Sequence, residues 1–171
     1  RVMEFLNNHQ TSFDKTLFCL QHTRVVPRKR IDFALEYTFS LLYTLRKRKK
    51  YESIYFLVSG YSGDETNKYR PKLERLHKQL CKKYGIENHF LIFAEDYDKQ
   101  NIPFEEYPRI FAKLGGISTY FSEIEGFGNN LLEVLASGLI PIVYTYPVFT
   151  EDIAKYKFKC IPLDDFIVDA D

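Results

Sequence analysis

Short apolar runs of strand length alternate with longer segments of helical periodicity along most of the chain. The strand-length runs occupy residues 16–22 (TLFCLQH), 53–59 (SIYFLVS), 89–94 (HFLIFA), 117–121 (ISTYF) and 140–144 (IPIVY). Segments with apolar residues every three or four positions lie between them, at residues 28–46, 68–84, 103–114 and 129–137. That spacing predicts amphipathic helices, and a last short helix and strand are predicted over 148–156 and 157–161.

Strands that alternate with helices of these lengths predict βαβ units, and therefore a parallel sheet with helices on both faces. Crossovers of this kind are right-handed. The expected fold class is α/β, a Rossmann-like, doubly wound and mostly parallel sheet. A chain of 171 residues fits one domain, so residues 1–171 are expected to form a single unit.

Composition and charge argue against several classes of function. The net charge is +1, so no overall field favours nucleic acid or a membrane as the partner. The three cysteines stand far apart and form no Cys-x-x-Cys or Cys/His cluster, which argues against a zinc site or a disulfide framework. Reduced thiols of this kind favour a cytoplasmic setting. No apolar run reaches the ~18 residues that a membrane-spanning helix needs.

Residues 125–133 (EGFGNNLLE) combine two glycines with two carboxylates at the start of a predicted helix. Glycine lets the backbone approach a ligand closely, and the free N–H groups of a helix N-terminus favour a phosphate. Glu125, just before the turn, can accept hydrogen bonds from sugar hydroxyls, and Glu133, one turn deeper, could hold a ribose diol. A plain connecting loop with two solvated glutamates is the alternative interpretation.

Two further loops with suitable composition follow predicted strands. Residues 24–30 (RVVPRKR) place four cations after the first strand and at the start of a helix. Cations oppose the helix dipole at that end, so a bound diphosphate would explain them; a solvated basic turn or a nucleic-acid contact are the alternatives. After the second strand, Gly60 lies in a loop (SGYSG) that could approach a nucleotide through its backbone. His22, at the end of the first strand near Arg24, could line the cleft, but it is expected to be a packed histidine.

Two motifs in these loops resemble the signatures of a known family. Glu125 and Glu133 form an E-x7-E pair in EGFGNNLLEVLASG, which resembles the signature of the retaining glycosyltransferases of family 4, the group 1 transferases. Arg24 and Lys29 form an R-x4-K pair in TRVVPRKR, which resembles the second signature of that family. The order of the motifs also fits, and the resemblance runs from about residue 16 to residue 161. It implies the C-terminal, donor-binding domain of a GT-B enzyme.

The resemblance implies a site for the diphosphate of a nucleotide sugar. Arg24 and Lys29 would neutralise the diphosphate and stabilise the leaving nucleotide as negative charge develops. The backbone amides of Asn130 and Leu131 would donate further hydrogen bonds to it. The family generally works without a divalent metal, so the resemblance implies no metal and no cofactor besides the nucleotide sugar.

The resemblance also assigns residues to the transferred sugar and the nucleoside. Glu125 would act with the two cations as a catalytic residue by binding hydroxyls of the sugar. The backbone amides of Phe127, Gly128 and Asn129 would help, and Glu133 would bind the ribose. The implied reaction is retaining transfer of the sugar to an acceptor hydroxyl of a glycan, a glycolipid or a small molecule.

Several features limit what is expected of this chain. It begins at Arg1 rather than Met and stops directly after an apolar stretch, so we interpret it as a fragment that lacks the N-terminal acceptor domain. Such a fragment is predicted to bind donor weakly and to transfer nothing. Residues 144–149 (YTYPVF) replace a Gly-Gly turn common in relatives. The run at 46–50 (RKRKK) is expected to be a solvated helix end, with peripheral contact to the cytosolic face of a membrane left open for the parent protein.

Two other functions remain open at this stage. A GT-B relative that rearranges a nucleotide sugar, such as an epimerase, would share the fold, but the two motif pairs argue against it. A non-catalytic nucleotide-binding or basic-patch module would bind nucleic acid with a steep salt dependence, whereas no nucleic-acid partner is expected here. Asp96 and Asp98 match the D-x-D pattern of metal-dependent transferases, which belongs to a different fold and is discounted.

Overall fold

The described residues form one six-stranded sheet, in a computed structural model that describes residue 4 and residues 7–62, 68–96 and 102–164. The strands are β1 (Thr16–Gln21), β2 (Ser53–Val58), β3 (His89–Phe93), β4 (Ile117–Tyr120), β5 (Ile140–Tyr144) and β6 (Ile161–Leu163). Their order is β3-β2-β1-β4-β5-β6, and every neighbouring pair is parallel. This is the strand order of a Rossmann-like sheet, so the predicted fold class is confirmed.

Helices cover both faces of the sheet. They are α1 (Ile31–Lys47), α2 (Tyr69–Tyr84), α3 (Glu106–Lys113) and α4 (Asn129–Ala136). On one face, Phe39 of α1 and Leu73 of α2 pack with Phe56 of β2 in one apolar cluster. On the other face, Phe111 of α3 and Val134 of α4 pack against apolar residues of β1 to β3. Because both faces are covered, β1 is buried at every position, which explains why residues 17–20 at its centre are a continuous apolar run.

The strand order reverses between β1 and β4. β1 pairs with β2 on one side and with β4 on the other, so the connections that leave these two central strands run toward opposite edges of the sheet. Diverging loops of this kind leave a crevice at the carboxyl ends of the strands, where open α/β sheets bind their ligands. The loop after β1 carries residues 24–30 and the loop after β4 carries residues 125–128, so both sequence motifs flank this crevice.

Helix starts are where the predicted boundaries differ most from the observed ones. α1 begins at Ile31 rather than at residue 28, because Pro27–Lys29 forms a 3-10 turn that ends at Arg30 in a left-handed conformation (φ 46°). α3 begins at Glu106 rather than at residue 103. The extra turn after β1 matters for the site, since it turns the basic residues away from the helix and toward the crevice loops.

The C-terminal part of the sheet also differs from the prediction. The helix expected over 148–156 is split into a π-helical turn (Phe149–Ile153) and a 3-10 turn (Ala154–Tyr156). Lys157 then takes a left-handed φ of 53°, which no strand residue adopts. β6 therefore starts only at Ile161, where it pairs with Ile142 of β5, and not at residue 157 as predicted.

Two histidines are enclosed between α1, α2 and β3. The His89 Nε2 atom lies 2.9 Å from Thr38 Oγ1, and the His89 ring stacks on Phe39 with the ring centroids 4.0 Å apart. His77 Nε2 lies 2.8 Å from the His89 carbonyl oxygen, so this nitrogen carries the proton and donates it. Burial lowers the pKa of His77 and of His89 below the ordinary value of 6.5.

The free energy of unfolding is expected to fall as the pH is lowered from about 7.5 to about 5. The unfolded chain takes up protons at these histidines near pH 6.5, whereas the folded chain keeps them neutral, so protonation favours unfolding. Each histidine contributes a loss of up to about 1.4 kcal/mol per pH unit until its folded pKa is reached. Urea titrations measure the effect, and His89→Phe, which keeps the ring stack, should reduce the slope. His9→Gln, at an exposed histidine, is the control; a slope that His89→Phe leaves unchanged would refute the assignment.

Candidate active site

A cavity of about 590 Å³ opens at the crevice between the loops after β1 and β4. A volume of this size suits a small-molecule ligand. Its walls come from the basic loop (residues 24–30), the exit of β2, the glycine-rich loop (residues 125–128) and the start of α4. The predicted site residues among its lining are Arg24, Lys29, Gly60, Glu125, Phe127, Gly128, Asn129 and Asn130. The three loops singled out in the sequence therefore meet at one cavity.

A buried ion pair between Lys29 and Glu125 forms part of the cavity wall. Lys29 Nζ donates to Glu125 Oε1, and only 7% and 10% of the two side chains are exposed. Burial alone would raise the pKa of Glu125, but the neighbouring Lys29 and Arg28 hold it below its ordinary value, so the carboxylate is ionised. Burial lowers the pKa of Lys29, and Glu125 opposes this shift. A ligand that enters here meets two charges that are already removed from bulk water.

Other cations of the basic loop pair with the segment that follows β4. Arg30 Nη1 donates to Glu123 Oε1. Arg28 Nη1 lies 3.7 Å from Glu125 Oε2 and donates to the Ile124 carbonyl oxygen at 3.3 Å. These carboxylates offset part of the cost of placing cations before a helix. The pairs also join the two loops across the crevice, while Arg24 stays exposed in the cavity lining.

The start of α4 supplies backbone donors to the cavity. Gly128 is its N-cap, with a left-handed φ of 79° and no side chain capping the helix. A Cβ at this position would lie 2.5 Å from the Tyr146 hydroxyl and would favour a different φ, so the turn requires glycine. The first N–H groups of a helix lack intrahelical acceptors, so the Asn129 and Asn130 amides can serve an anion in the cavity.

Gly60 fixes the part of the cavity wall that comes from the exit of β2. A Cβ on Gly60 would lie 2.6 Å from the Thr23 carbonyl carbon and 2.7 Å from the Arg24 nitrogen. The Gly60 N–H donates to the Thr23 carbonyl oxygen at 3.1 Å, and the Val25 N–H donates to the Tyr61 carbonyl oxygen at 3.2 Å. These contacts hold the exit of β1 against the exit of β2, which sets where Arg24 enters the cavity.

Leu131 and Glu133 are the predicted site residues outside the cavity lining. The Leu131 side chain is fully buried and packs with Tyr120 and Val143. Its N–H donates to the Gly128 carbonyl oxygen at 2.8 Å, so the turn already uses the amide that was expected to meet a diphosphate. Glu133 lies further along α4 with 42% of its side chain exposed. Their assignment to ligand binding stays a prediction.

Glu133 binds His22, which is fully buried as expected of a packed histidine. His22 Nε2 lies 2.9 Å from Glu133 Oε2, and His22 Nδ1 lies 2.9 Å from Ser59 Oγ. Its ring stacks on Phe104 with the centroids 4.0 Å apart. Burial lowers the pKa of His22, although Glu133 opposes this. Asn130 Nδ2 donates to the His22 carbonyl oxygen at 3.0 Å. This histidine, directly after β1, therefore links the exit of β2 to α4 and to the segment before α3.

Sequence reasoning did not single out every residue of the cavity lining. Arg28 and Gly126 lie within the predicted loops, and Tyr61 follows Gly60 in the third loop. Phe104 was not predicted to line a site, because it was assigned to the helix expected over residues 103–114. In the structure it precedes α3. Of the discounted D-x-D pair, Asp98 lies outside the described residues.

Metal and membrane features can be judged within the described part of the chain. There, no group of His, Cys, Asp and Glu side chains could hold a metal ion. Its helices are too short or too polar for any of them to cross a membrane. All three cysteines are free thiols.

Comparison with known families identifies the chain. A family model described as "Glycosyl transferases group 1" matches residues 3–169. The chain belongs to the group 1 glycosyltransferases. The resemblance drawn from the R-x4-K and E-x7-E pairs is thereby confirmed. Of the four motif residues, Arg24, Lys29 and Glu125 line the cavity.

Two enzymes named mannosylglucosylglycerate synthase are similar in sequence to this glycosyltransferase domain. The one from Thermotoga maritima is 28% identical over 162 residues, which cover 88% of this chain and 34% of the relative. The one from Petrotoga mobilis is also 28% identical over 162 residues, covering 87% of this chain and 36% of the relative. The chain therefore spans about a third of the length of these relatives.

Two solved structures illustrate the likeness in fold. A protein from Anabaena, solved in complex with UDP and glucose, matches with a TM-score of 0.54 and 13% identity over 88% of this chain and 34% of its own. The C-terminal domain of a group 1 glycosyl transferase from Francisella tularensis matches with a TM-score of 0.51 and 18% identity over 95% of this chain and 75% of its own. At this identity the likeness establishes the Rossmann-like fold of a GT-B domain.

Proposed function

We propose that this domain binds a nucleotide-diphosphate sugar in the cavity and serves retaining transfer of the sugar to an acceptor hydroxyl. The observation that carries the proposal is the meeting of the basic loop and the glycine-rich loop around one cavity, with the Lys29–Glu125 pair in its wall. A diphosphate needs cations and N–H donors on one surface. The Anabaena structure in complex with UDP and glucose supports the choice of nucleotide sugars as ligands.

The proposed roles follow from charge and exposure. Arg24, exposed in the cavity lining, and Lys29, buried in its wall, bind the diphosphate and stabilise the charge that develops on the leaving nucleotide. Glu125 accepts hydrogen bonds from hydroxyls of the transferred sugar. Lys29 holds this carboxylate in its ionised form, which can only accept hydrogen bonds.

The acceptor side of the reaction is proposed to lie on another domain. In this proposal residues 1–171 form the single donor-binding domain, which alone binds donor weakly and transfers nothing. The cations of the basic loop take the place of a divalent metal, so no cofactor is needed besides the nucleotide sugar. The whole enzyme is proposed to act in the cytoplasm or at the cytosolic face of a membrane.

Calorimetry with UDP, GDP and ADP, alone and as sugar conjugates, tests the proposal. At least one of them is expected to bind with a Kd below about 1 mM. Arg24→Ala should weaken binding of that nucleoside diphosphate about tenfold, the loss of one charge-assisted hydrogen bond, and leave the nucleoside almost unaffected. Arg109→Ala, at an exposed arginine of α3 outside the cavity lining, is the matched control.

Two results would overturn the proposal. One is a folded chain that binds none of these nucleotides below the millimolar range. The other is binding of RNA or DNA that falls steeply with salt and does not compete with nucleotide sugars, which identifies a basic-patch module instead.

A further inference from the structure

We propose that His22 is a positioning residue that aims the Glu133 carboxylate at the ribose of the bound nucleotide and so makes the site prefer ribonucleotides over 2′-deoxyribonucleotides. The inference rests on the proposed function and on the contact between Glu133 and the ribose that the family resemblance implies. It assigns a part in nucleotide selection to a side chain in the interior of the domain.

The pairing of a buried ring with a half-exposed carboxylate is the starting observation. His22 has no exposed surface, whereas 42% of the Glu133 side chain is exposed. Their 2.9 Å contact uses Glu133 Oε2. An exposed glutamate on a helix normally samples several rotamers, so a buried donor at this distance selects the one in which Oε2 points inward.

The protonation of His22 follows from its two neighbours. An ionised carboxylate can only accept hydrogen bonds, so a neutral His22 must carry its proton on Nε2 and donate it to Glu133. The Nδ1 atom is then an acceptor, and the Ser59 hydroxyl, 2.9 Å away, donates to it. Both ring nitrogens are thus used by partners in different parts of the fold, Ser59 directly after β2 and Glu133 on α4, which fixes the plane of the ring.

Phe104 connects this pair to the cavity. Its ring stacks on His22 at 4.0 Å with an angle of 19° between the planes, and Phe104 also lines the cavity. Glu133 lies one helical turn after Asn129 and Asn130, which line the same cavity, and residues three or four apart share a helix face. The held carboxylate is therefore placed beside the cavity, next to the aromatic ring that a nucleoside would pack against.

A carboxylate held in one orientation can discriminate between sugars. With Oε2 bound to His22, Oε1 can accept a hydrogen bond from a ribose hydroxyl, and a charge-assisted bond of this kind contributes about 1.5–3 kcal/mol. Loss of the 2′-hydroxyl removes one donor from the diol. The wild type is therefore expected to bind the ribonucleotide about tenfold more tightly than the 2′-deoxyribonucleotide.

Binding of three ligands to the wild type and to single and double variants tests the proposal. The ligands are the nucleoside diphosphate that the wild type binds most tightly, its 2′-deoxy form and inorganic pyrophosphate. His22→Phe keeps a ring on Phe104 but removes the hydrogen-bond donor. It should therefore lower the affinity for the ribonucleotide about tenfold and leave the affinities for the other two ligands within about twofold of the wild-type values. His22→Gln, which retains an N–H donor, should restore part of the preference, and His9→Gln should change nothing. On a Glu133→Ala background, His22→Phe should cause no further loss.

Nitrogen-15 NMR of the histidine ring gives a readout that needs no ligand. The His22 signals are expected to report a proton on Nε2, and Glu133→Ala should shift that resonance while leaving His89 unchanged. A proton on Nδ1 would overturn the proposal, as would equal weakening of all three ligands by His22→Phe, which marks a packing role. If the wild type binds no nucleoside diphosphate, the proposed function fails and the inference with it. If it binds them and His22→Phe keeps the ribose preference, the inference alone fails.

Discussion

Replacing Lys29 by methionine is expected to lower the free energy of unfolding by about 3–5 kcal/mol. The substitution leaves the Glu125 carboxylate, only 10% exposed, without its principal partner. A buried charge that loses its partner either stays ionised at a high cost or binds a proton, so the pKa of Glu125 should rise in the variant. Urea denaturation near neutral pH measures the loss, and the variant should regain stability as the pH is lowered toward that raised pKa.

A double variant separates the contribution of the pair to stability from its contribution to binding. Replacing Glu125 by glutamine in the Lys29→Met background removes the unpaired charge, so most of the lost stability should return. Diphosphate binding should not return, because the cation that faces the ligand is still missing. A Lys29→Met variant within about 1 kcal/mol of the wild type would show that the two side chains are not a buried pair.

Replacing Gly60 by alanine is expected to destabilise the domain by about 1–3 kcal/mol and to weaken donor binding. The new Cβ would meet backbone atoms of Thr23 and Arg24 at 2.6 and 2.7 Å. Backbone cannot rotate away as a side chain can, so the exits of β1 and β2 must separate. Arg24 enters the cavity from the displaced segment, so diphosphate affinity should fall together with stability, as calorimetry and urea denaturation would show.

Gly126→Ala is the matched control for that change. Gly126 also lines the cavity, but a Cβ there would meet no atom within 4 Å. The free energy of unfolding of the Gly126→Ala variant should therefore stay within about 0.5 kcal/mol of the wild-type value. Equal losses from the two substitutions would mean that the close approach at Gly60 does not hold the cavity wall.

The fold could be predicted from sequence because each element has a local cause. Strands covered on both faces are rich in apolar residues, and β1, β2, β3 and β5 are compact, mostly apolar runs. Gly85 takes a left-handed φ of 62° directly after α2, as a helix-ending glycine does. The two motif pairs could be placed at one crevice because they follow strands that a doubly wound sheet brings side by side.

The contacts within the site could not be predicted, because they join residues far apart in sequence. Lys29 and Glu125 are separated by 96 positions, and His22 and Glu133 by 111. Motif spacing indicated that each glutamate belongs to the site, but it did not reveal that Glu125 is buried against a lysine. Nor did it show that Glu133 is bound by the buried His22. Both contacts depend on how β1 and β4 lie in the sheet.

The 3-10 turn after β1 shows a different limit of prediction from sequence, which concerns where a helix begins. Residues 28–30, three cations that follow Pro27, were assigned to the start of a helix. The chain instead makes a separate turn and restarts at Arg30 with a left-handed φ of 46°. In this turn, Arg30 pairs with Glu123 and Lys29 pairs with Glu125. These tertiary contacts have no local sequence signature.

Backbone amide chemical-shift mapping tests the location of the site most directly. Titration with inorganic pyrophosphate, and then with the nucleoside diphosphate that binds most tightly, should shift the amides of Gly60, Gly126, Gly128 and Asn130 most strongly. The Lys29→Met, Glu125→Gln double variant should lose these shifts while remaining folded. Shifts centred on another cavity, of about 560 Å³ near Phe149 and Phe158, would contradict a donor site at the crevice between β1 and β4. So would the absence of shifts around the glycine-rich loop at saturating ligand.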